Sequence, residues 1–318
     1  MYHPVGEEIL AKEAQVTRTD NYDPDNLKKI LSEEKFDAVV LRAPAQMTRD
    51  IIEAADSVKA ISGAGAGLDN IDVEAATEKG IAVLNCPTVN AVSVAEHALT
   101  LMLTVSKKIL PCDQAVRKDN FELRNKLRPT ELNGKVLGLV GIGAIGSKLA
   151  KMVQDGLNMS VKAFDPYVDA SLAESLGIEL LPDLDSLLPL CDVLSLHVPL
   201  LPETKNIIGE KEISLMKPTA IIINTARGGI LDEEALTRAL IDNRIAGAGL
   251  DVFCTEPNID CSSPLYSLDN TVFSPHLGGI TEESTYRMAE AVATNILAYL
   301  EGNFPETVCN ANELDLNN

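Results

Sequence analysis

Along the first ninety residues, short apolar runs alternate with stretches in which apolar side chains recur every three to four positions. Ala38–Leu41, residues 58–62 and Ala82–Leu84 read as strands, and residues 25–34, 48–55 and 72–79 read as helices. Strand and helix repeated in this way predict a parallel sheet. Residues 4–14 read as a first helix with no strand before it. Either this domain lacks its first strand or the true start lies upstream of Met1, and the second reading is preferred.

Residues 93–109 are apolar around much of the helical circumference, so this helix is expected to be buried on more than one side, crossing between domains or joining two subunits. His97 lies within it and is expected to be a hydrogen-bonded structural histidine rather than a catalyst. Residues 117–133, with Arg117, Arg124 and Arg128, read as a solvated excursion. Beyond them, Val136–Val140 and residues 161–164, 193–198, 219–224, 246–251 and 271–274 are apolar runs separated by helical stretches. Six such runs make an open, doubly wound parallel sheet, in which ligands bind outside the carboxyl ends of the strands. His197, Arg227, Asp251 and His276 all fall there. The last helix, Glu282–Leu300, is long enough to return to the first domain.

The run Val136–Val140 ends at Gly141-x-Gly143-x-x-Gly146, and residues 147–154 continue as a helix with Leu149, Ala150 and Val153 on one face. Gly141 lets the chain turn sharply, Gly143 lets backbone approach a pyrophosphate, and Gly146 lets the helix pack closely on its strand. The helix N-terminus favours the anion. Such a triplet alone is weak evidence, but the next strand ends in Asp165, 19 residues past Gly146, where a carboxylate can accept hydrogen bonds from both hydroxyls of an adenine ribose. Asp165 would repel a 2′-phosphate, and Pro166 and Tyr167 supply no arginine to hold one. NAD is therefore expected rather than NADP.

Composition narrows the classes. A chain of 318 residues suits two domains. No apolar stretch reaches the ~18 residues of a membrane helix, and the first residues open no signal peptide, so a cytoplasmic protein with no membrane partner is expected. The net charge of −20 is spread along the chain and argues against nucleic acid. The cysteines at 86, 112, 191, 254, 261 and 309 have neither zinc nor disulfide spacing, and no metal is expected. Cys86 and Cys191 read as small core residues.

A nicotinamide enzyme acting on an alcohol needs a group to move the hydroxyl proton, and His276 suits this near neutral pH. Glu256 can orient it, and Arg227 is a two-pronged donor for a carboxylate and the adjacent carbonyl. Spacing alone leaves open a surface glutamate, a solvated arginine and a C-capping histidine.

Four motifs in order bear on the choice: Gly-Ile-Gly-Ala-Ile-Gly, Asn-Thr-Ala-Arg-Gly-Gly-Ile-Leu-Asp-Glu-Glu-Ala-Leu, Gly-Ala-Gly-Leu-Asp-Val-Phe-x-x-Glu-Pro, and Pro-His-Leu-Gly-Gly-x-Thr-x-Glu-Ser. Together they resemble the D-isomer-specific 2-hydroxyacid dehydrogenase family, and Gly-Ala-Gly-x-Asp-Asn-Ile-Asp at 65–72 looks nearest its phosphoglycerate dehydrogenase branch. The resemblance implies two doubly wound α/β domains with a cleft between them: a flavodoxin-like substrate domain over 1–92 plus 282–318, and a Rossmann NAD domain over 93–281. It implies Arg227, Glu256 and His276 as catalytic residues, and Ala66, Gly67, Arg227 and His276 as binders of a small 2-oxo or 2-hydroxy acid. Cofactor contacts fall on Gly141, Gly143, Ala144, Ile145, Gly146, Asp165, His197, Val198, Pro199, Thr204, Thr225, Ala226, Asp251, Gly278 and Gly279. It also implies a homodimer built through the helix from Ser93.

One departure stands out. Gly63 occupies the place of a phosphate-binding arginine, for which Arg42, Arg124 or Arg128 could substitute, and this leaves the acid open between phosphoglycerate and a smaller or differently charged one, as for a hydroxypyruvate or glyoxylate reductase. A corepressor or redox sensor on the same scaffold is the alternative, against which the complete Arg, Glu, His set argues. Chemistry like that of S-adenosylhomocysteine hydrolase would want a lysine and a cysteine beside the nicotinamide, and no motif matches.

Overall fold

Two parallel sheets organise the chain, one in each of its two units. The computed structural model describes residues 3–316; the first unit runs to Asn90 and resumes at Gly279, and the second is Ala91–Gly278.

The first unit opens with α1 (Pro4–Leu10) and α2 (Pro24–Glu33), each with proline in its first turn and a side-chain cap, from His3 and Asp23. α1 stops at Leu10, short of the residues 4–14 expected. There follow β1 (Ala38–Leu41), α3 (Arg49–Glu53), β2 (Ala60–Gly63), α4 (Val73–Glu78) and β3 (Ala82–Leu84). The strands pair in parallel in chain order, with Leu41 opposite Gly63. Their side chains alternate between two cores. Ile61 and Val83 pack with Ile51, Ile52 and Ala76 on one face, while Ala60, Ala82 and Leu84 pack with Val308 on the other. The segment near residue 308 covers the open edge of β3: buried Asn310 accepts from the Val83 amide and donates to Thr77 and the Ile81 carbonyl.

The second unit begins with α5 (Ala91–Lys107). α5 accounts for the helix expected over 93–109; Lys108, with φ of 53°, ends it, and α6 (Ile109–Arg117) follows. The sheet and its helices follow as β4 (Val136–Val140), α7 (Ala144–Leu157), β5 (Ser160–Phe164), α8 (Ala170–Ser175), β6 (Ile178–Leu180), α9 (Leu184–Leu187), β7 (Val193–Leu196), α10 (Glu210–Leu215), β8 (Ile221–Asn224), α11 (Glu233–Ile241), β9 (Gly247–Leu250) and β10 (Thr271–Phe273). All pairings are parallel, in the order β10-β9-β8-β7-β4-β5-β6. The order reverses at β4, so the crevice for a ligand opens at the carboxyl ends of β4 and β7. β6 was not expected from the apolar pattern: three residues at an edge, with Ile178 buried and Glu179 exposed, are too few to register as a run.

α12 (Glu282–Leu300) belongs to the first unit, where Ala293 and Ile296 pack on Leu10. Among the described residues, no helix is long and apolar enough to cross a membrane.

Candidate active site

The glycine loop behaves as its spacing demands. Gly141 has φ of 95°, and a Cβ there would lie 2.7 Å from the His197 carbonyl oxygen. A Cβ on Gly146 would lie 2.5 Å from the Gly141 carbonyl oxygen, so the first turn of α7 can sit this close to β4 only without one. Gly143, the N-cap of α7, has open space where a Cβ would go. Ala144, Ile145 and Gly146 form the first turn, whose amides lack partners within the helix and favour an anion. The fold thus separates three roles: turning, packing and leaving room.

Asp165 follows β5. Its carboxylate accepts from the Ile142 amide at 2.8 Å and the Tyr167 amide at 3.0 Å, which ties the end of β5 to the glycine loop. Across the crevice, His197 follows β7 with Nε2 2.9 Å from Ser195 Oγ. Burial pushes this imidazole down to about 4, so it is neutral at physiological pH. Its Nδ1 is buried without a hydrogen-bond partner, and so is the hydroxyl of Thr225, just after β8. Two orphaned polar atoms at the ends of adjacent strands, beside the strand that carries the glycine loop, fit a dinucleotide with polar groups to offer. Val198 and Pro199 continue the loop after β7. Thr204 staples it, donating to the Pro199 carbonyl at 2.6 Å and accepting from the Leu201 amide at 2.8 Å.

The three residues expected to do chemistry sit at the same edge of the same sheet. His276 Nδ1 is 2.7 Å from Glu256 Oε2, and the other Glu256 oxygen accepts from the Phe253 amide at 2.6 Å. A carboxylate accepts only, so Nδ1 carries the proton and Nε2 is left for chemistry. The hydrogen bond to Glu256 raises the His276 pKa above its ordinary value, against burial and the positive charge of Arg227, with Asp251 adding in the same direction as Glu256. The side chain of His276 is 50% exposed.

Arg227 is presented by a turn built on Asn224. This buried side chain donates to the Arg227 carbonyl at 2.8 Å and accepts from the Ala226 amide at 3.0 Å, while Arg227 itself donates to the Ala226 carbonyl at 2.7 Å. Sequence reasoning passed over Asn224, although an asparagine two and three residues before an aimed side chain is a turn signal. It also passed over Glu233, which accepts from the Cys254 amide at 2.6 Å and so steadies the loop that carries Glu256.

Asp251 is wholly buried. Burial would raise its pKa, but His97, Ser274 and the amides of Gly278 and Leu277 hold it below the ordinary carboxylate value. The Gly278 amide donates to Asp251 at 2.8 Å, so that group is already engaged. Gly279, Ala66 and Gly67 lie in the first unit. There a Cβ on Gly279 would crowd Asn90 at 2.8 Å, and the Ala66 carbonyl accepts from Asn85 at 2.8 Å. Cys86 and Cys191 are buried, and Cys191 Sγ donates to the Leu187 carbonyl.

Residues 99–278 match the D-isomer specific 2-hydroxyacid dehydrogenase, NAD binding domain. The chain belongs to this family. Like others in the D-2-hydroxyacid dehydrogenase family, it is similar to D-3-phosphoglycerate dehydrogenase of Methanocaldococcus jannaschii, with 43% identity over 274 residues that cover 86% of this chain and 52% of the relative. The apo form of D-mandelate dehydrogenase from Rhodotorula graminis superposes with a TM-score of 0.86 at 29% identity, covering 95% of this chain and 93% of that one. An acyclic imino acid reductase in complex with NADPH and D-Arg superposes with a TM-score of 0.85 at 29% identity, covering 97% and 96%. The chain spans about half the length of the curated relatives it matches.

Proposed function

We propose that this chain is an NAD-dependent oxidoreductase interconverting a 2-oxo acid and its D-2-hydroxy acid. The observation that carries the reading is the 2.7 Å His276–Glu256 pair, set at the carboxyl edge of the sheet that holds the glycine loop. Bound NAD supplies the hydride acceptor or donor. The protein supplies the rest. Arg227 grips the carboxylate and polarises the oxo group. His276, protonated at both nitrogens, gives its Nε2 proton to the oxygen as it becomes a hydroxyl and takes it back in the reverse direction. Glu256 holds the imidazolium and fixes the ring.

Within the first unit, Arg42 is the cation proposed to make up for the arginine missing at Gly63, which favours an acid with an anionic distal group. It follows Leu41, the residue opposite Gly63, and the Ala64 amide donates to the Leu41 carbonyl at 2.9 Å. An arginine thus stands just past the end of the neighbouring strand, where Gly63 itself offers no charge. We also propose a homodimer. Ile109, Leu110, Val116 and Phe121, on α6 and just beyond it, expose between 43% and 66% of their surface, and a second copy docked along α5 would cover them. Six unpaired cysteines suit a reducing compartment such as the cytoplasm.

The test is NADH oxidation over a panel including 3-phosphohydroxypyruvate, hydroxypyruvate, glyoxylate and pyruvate, with light scattering for the mass. His276→Ala should lower kcat by ~10²-fold or more. Loss within about tenfold would sink the acid/base assignment. NADH binding without turnover of any oxo acid would leave a nucleotide-binding sensor instead.

A further inference from the structure

We propose that His97 is a positioning residue for His276, acting through Ser274 and the buried carboxylate of Asp251; this rests on the proposed role of His276. The arrangement starts with two small residues in β9. A Cβ on Gly249 would lie 2.9 Å from Leu101 Cβ, and one on Gly247 would lie 2.8 Å from Val105, so α5 can be laid directly on the sheet. That close approach brings His97, one turn before Leu101, over the strand ends. Its Nε2 lies 2.7 Å from Ser274 Oγ and 3.3 Å from Asp251 Oδ1.

Proton counting fixes the direction of the chain. Ser274 Oγ is 2.6 Å from Asp251 Oδ1, and an ionised carboxylate only accepts, so the one hydroxyl proton of Ser274 points at Asp251. Ser274 then has only lone pairs for His97, and Nε2 of His97 must carry a proton and donate. Asp251 thereby gathers the Ser274 hydroxyl, the Leu277 amide at 2.8 Å and the Gly278 amide at 2.8 Å, with His97 alongside. Its own carbonyl accepts from the His276 amide at 2.8 Å.

Every one of these bonds falls on the segment 274–278. His276 sits in its middle with φ of 54°, a left-handed conformation that a residue with a Cβ adopts only when its surroundings hold it there. Asp251 grips both sides of that residue, and His97 keeps the gripping carboxylate oriented from the helix side. Nothing in hydride transfer requires His97 itself. Its effect is on where His276 stands relative to Glu256, the partner that keeps it protonated.

The test is the titration of His276 by imidazole nitrogen NMR in the full chain, assigned among only four histidines, with kcat measured alongside. The charged groups acting on His276 are Glu256, Arg227 and Asp251, and the one paired with His97 is Asp251. In His97→Leu, His276 should titrate at lower pH than in the wild type and kcat should fall about tenfold, with the KM for NADH changed by less than about threefold. His97→Gln, which keeps a donor near Nε2, should recover most of both losses. Ser274→Ala, which breaks the same chain at its middle, should shift the titration in the same direction and stands in should His97→Leu fail to fold. Unchanged titration of His276 in the soluble variants, or a glutamine variant that behaves like the leucine one, would overturn the proposal. The NMR result needs no turnover. A wild type that reduces no 2-oxo acid, yet shows the shift and its rescue, would refute the proposed function while leaving His97 as the residue that sets His276.

Discussion

Gly143 and Gly146 stand three residues apart and should fail differently when each gains a methyl group. In Gly143→Ala the new Cβ meets nothing within 4 Å, and the backbone there, with φ of −72° and ψ of −164°, is open to alanine. Folding should be unaffected, with Tm within about 1 °C of wild type. The methyl group would instead occupy the space a pyrophosphate needs, and losing close backbone contact should weaken NADH binding by about tenfold or more, roughly 1.4 kcal/mol. In Gly146→Ala the Cβ would lie 2.5 Å from the Gly141 carbonyl oxygen, against an ordinary contact above about 3.2 Å, so α7 must shift by about 0.7 Å. Overpacking of this kind costs about 1–3 kcal/mol. At about 2–4 °C per kcal/mol for a unit of this size, the Tm should drop by about 2–12 °C, and NADH affinity should fall as well because the first-turn amides move. Differential scanning calorimetry gives the first quantity. Cofactor fluorescence gives the second, and is simplified by the absence of tryptophan. Should Gly143→Ala bind NADH within twofold of wild type, the dinucleotide does not cross the glycine loop and the placement of the cofactor is wrong.

Three further outcomes follow from the same geometry. The His276 pKa is raised chiefly by its bond to Glu256, so in Glu256→Gln it falls: reduction, which needs the protonated ring, should fade at a lower pH than in wild type, and oxidation, which needs the neutral ring, should set in at a lower pH; pH profiles in both directions check this, and an unmoved alkaline limb in reduction would count against the pairing. Asp165→Ala should raise the kcat/KM for NADPH relative to NADH, and an unchanged ratio would remove Asp165 from the ribose site; because its carboxylate also holds the Ile142 amide, NADH affinity should drop too. Asn224→Ala frees the Ala226 amide and Arg227 carbonyl of the turn, at about 1–2 kcal/mol for these half-buried groups, and should raise the KM for the oxo acid while leaving NADH binding nearly intact; equal loss in both would mean that Asn224 supports the sheet rather than Arg227.

Much of this was legible in the chain because strand ends in a parallel α/β sheet are where apolar runs stop, and the residues at each stop are read directly. Asp165, His197, Thr225, Asp251 and His276 could each be placed at a carboxyl edge from period alone. Gly141, Gly143 and Gly146 could be given separate duties because the duties follow from having no Cβ. The short edge strand β6 and the helix α6 were not legible: one has too few residues to form a pattern, and the other follows α5 after the single left-handed residue Lys108.

Beyond the Glu256–His276 pair, what sequence reasoning could not supply was the pairing of side chains across elements. His97 and Ser274 are 177 residues apart, and only the set of α5 against Gly247 and Gly249 brings them to 2.7 Å. Asp251 was expected as a cofactor contact, yet its carboxylate already has three close donors and has little room for a further one. What the carboxylate visibly holds is the segment 274–278. The same holds for Asn224 under Arg227 and Glu233 under the Glu256 loop: each side chain expected to do chemistry rests on a polar group from elsewhere in the chain. A left-handed His276 would relax without that support, and relaxation would move Nε2 away from the one direction in which its proton is of use.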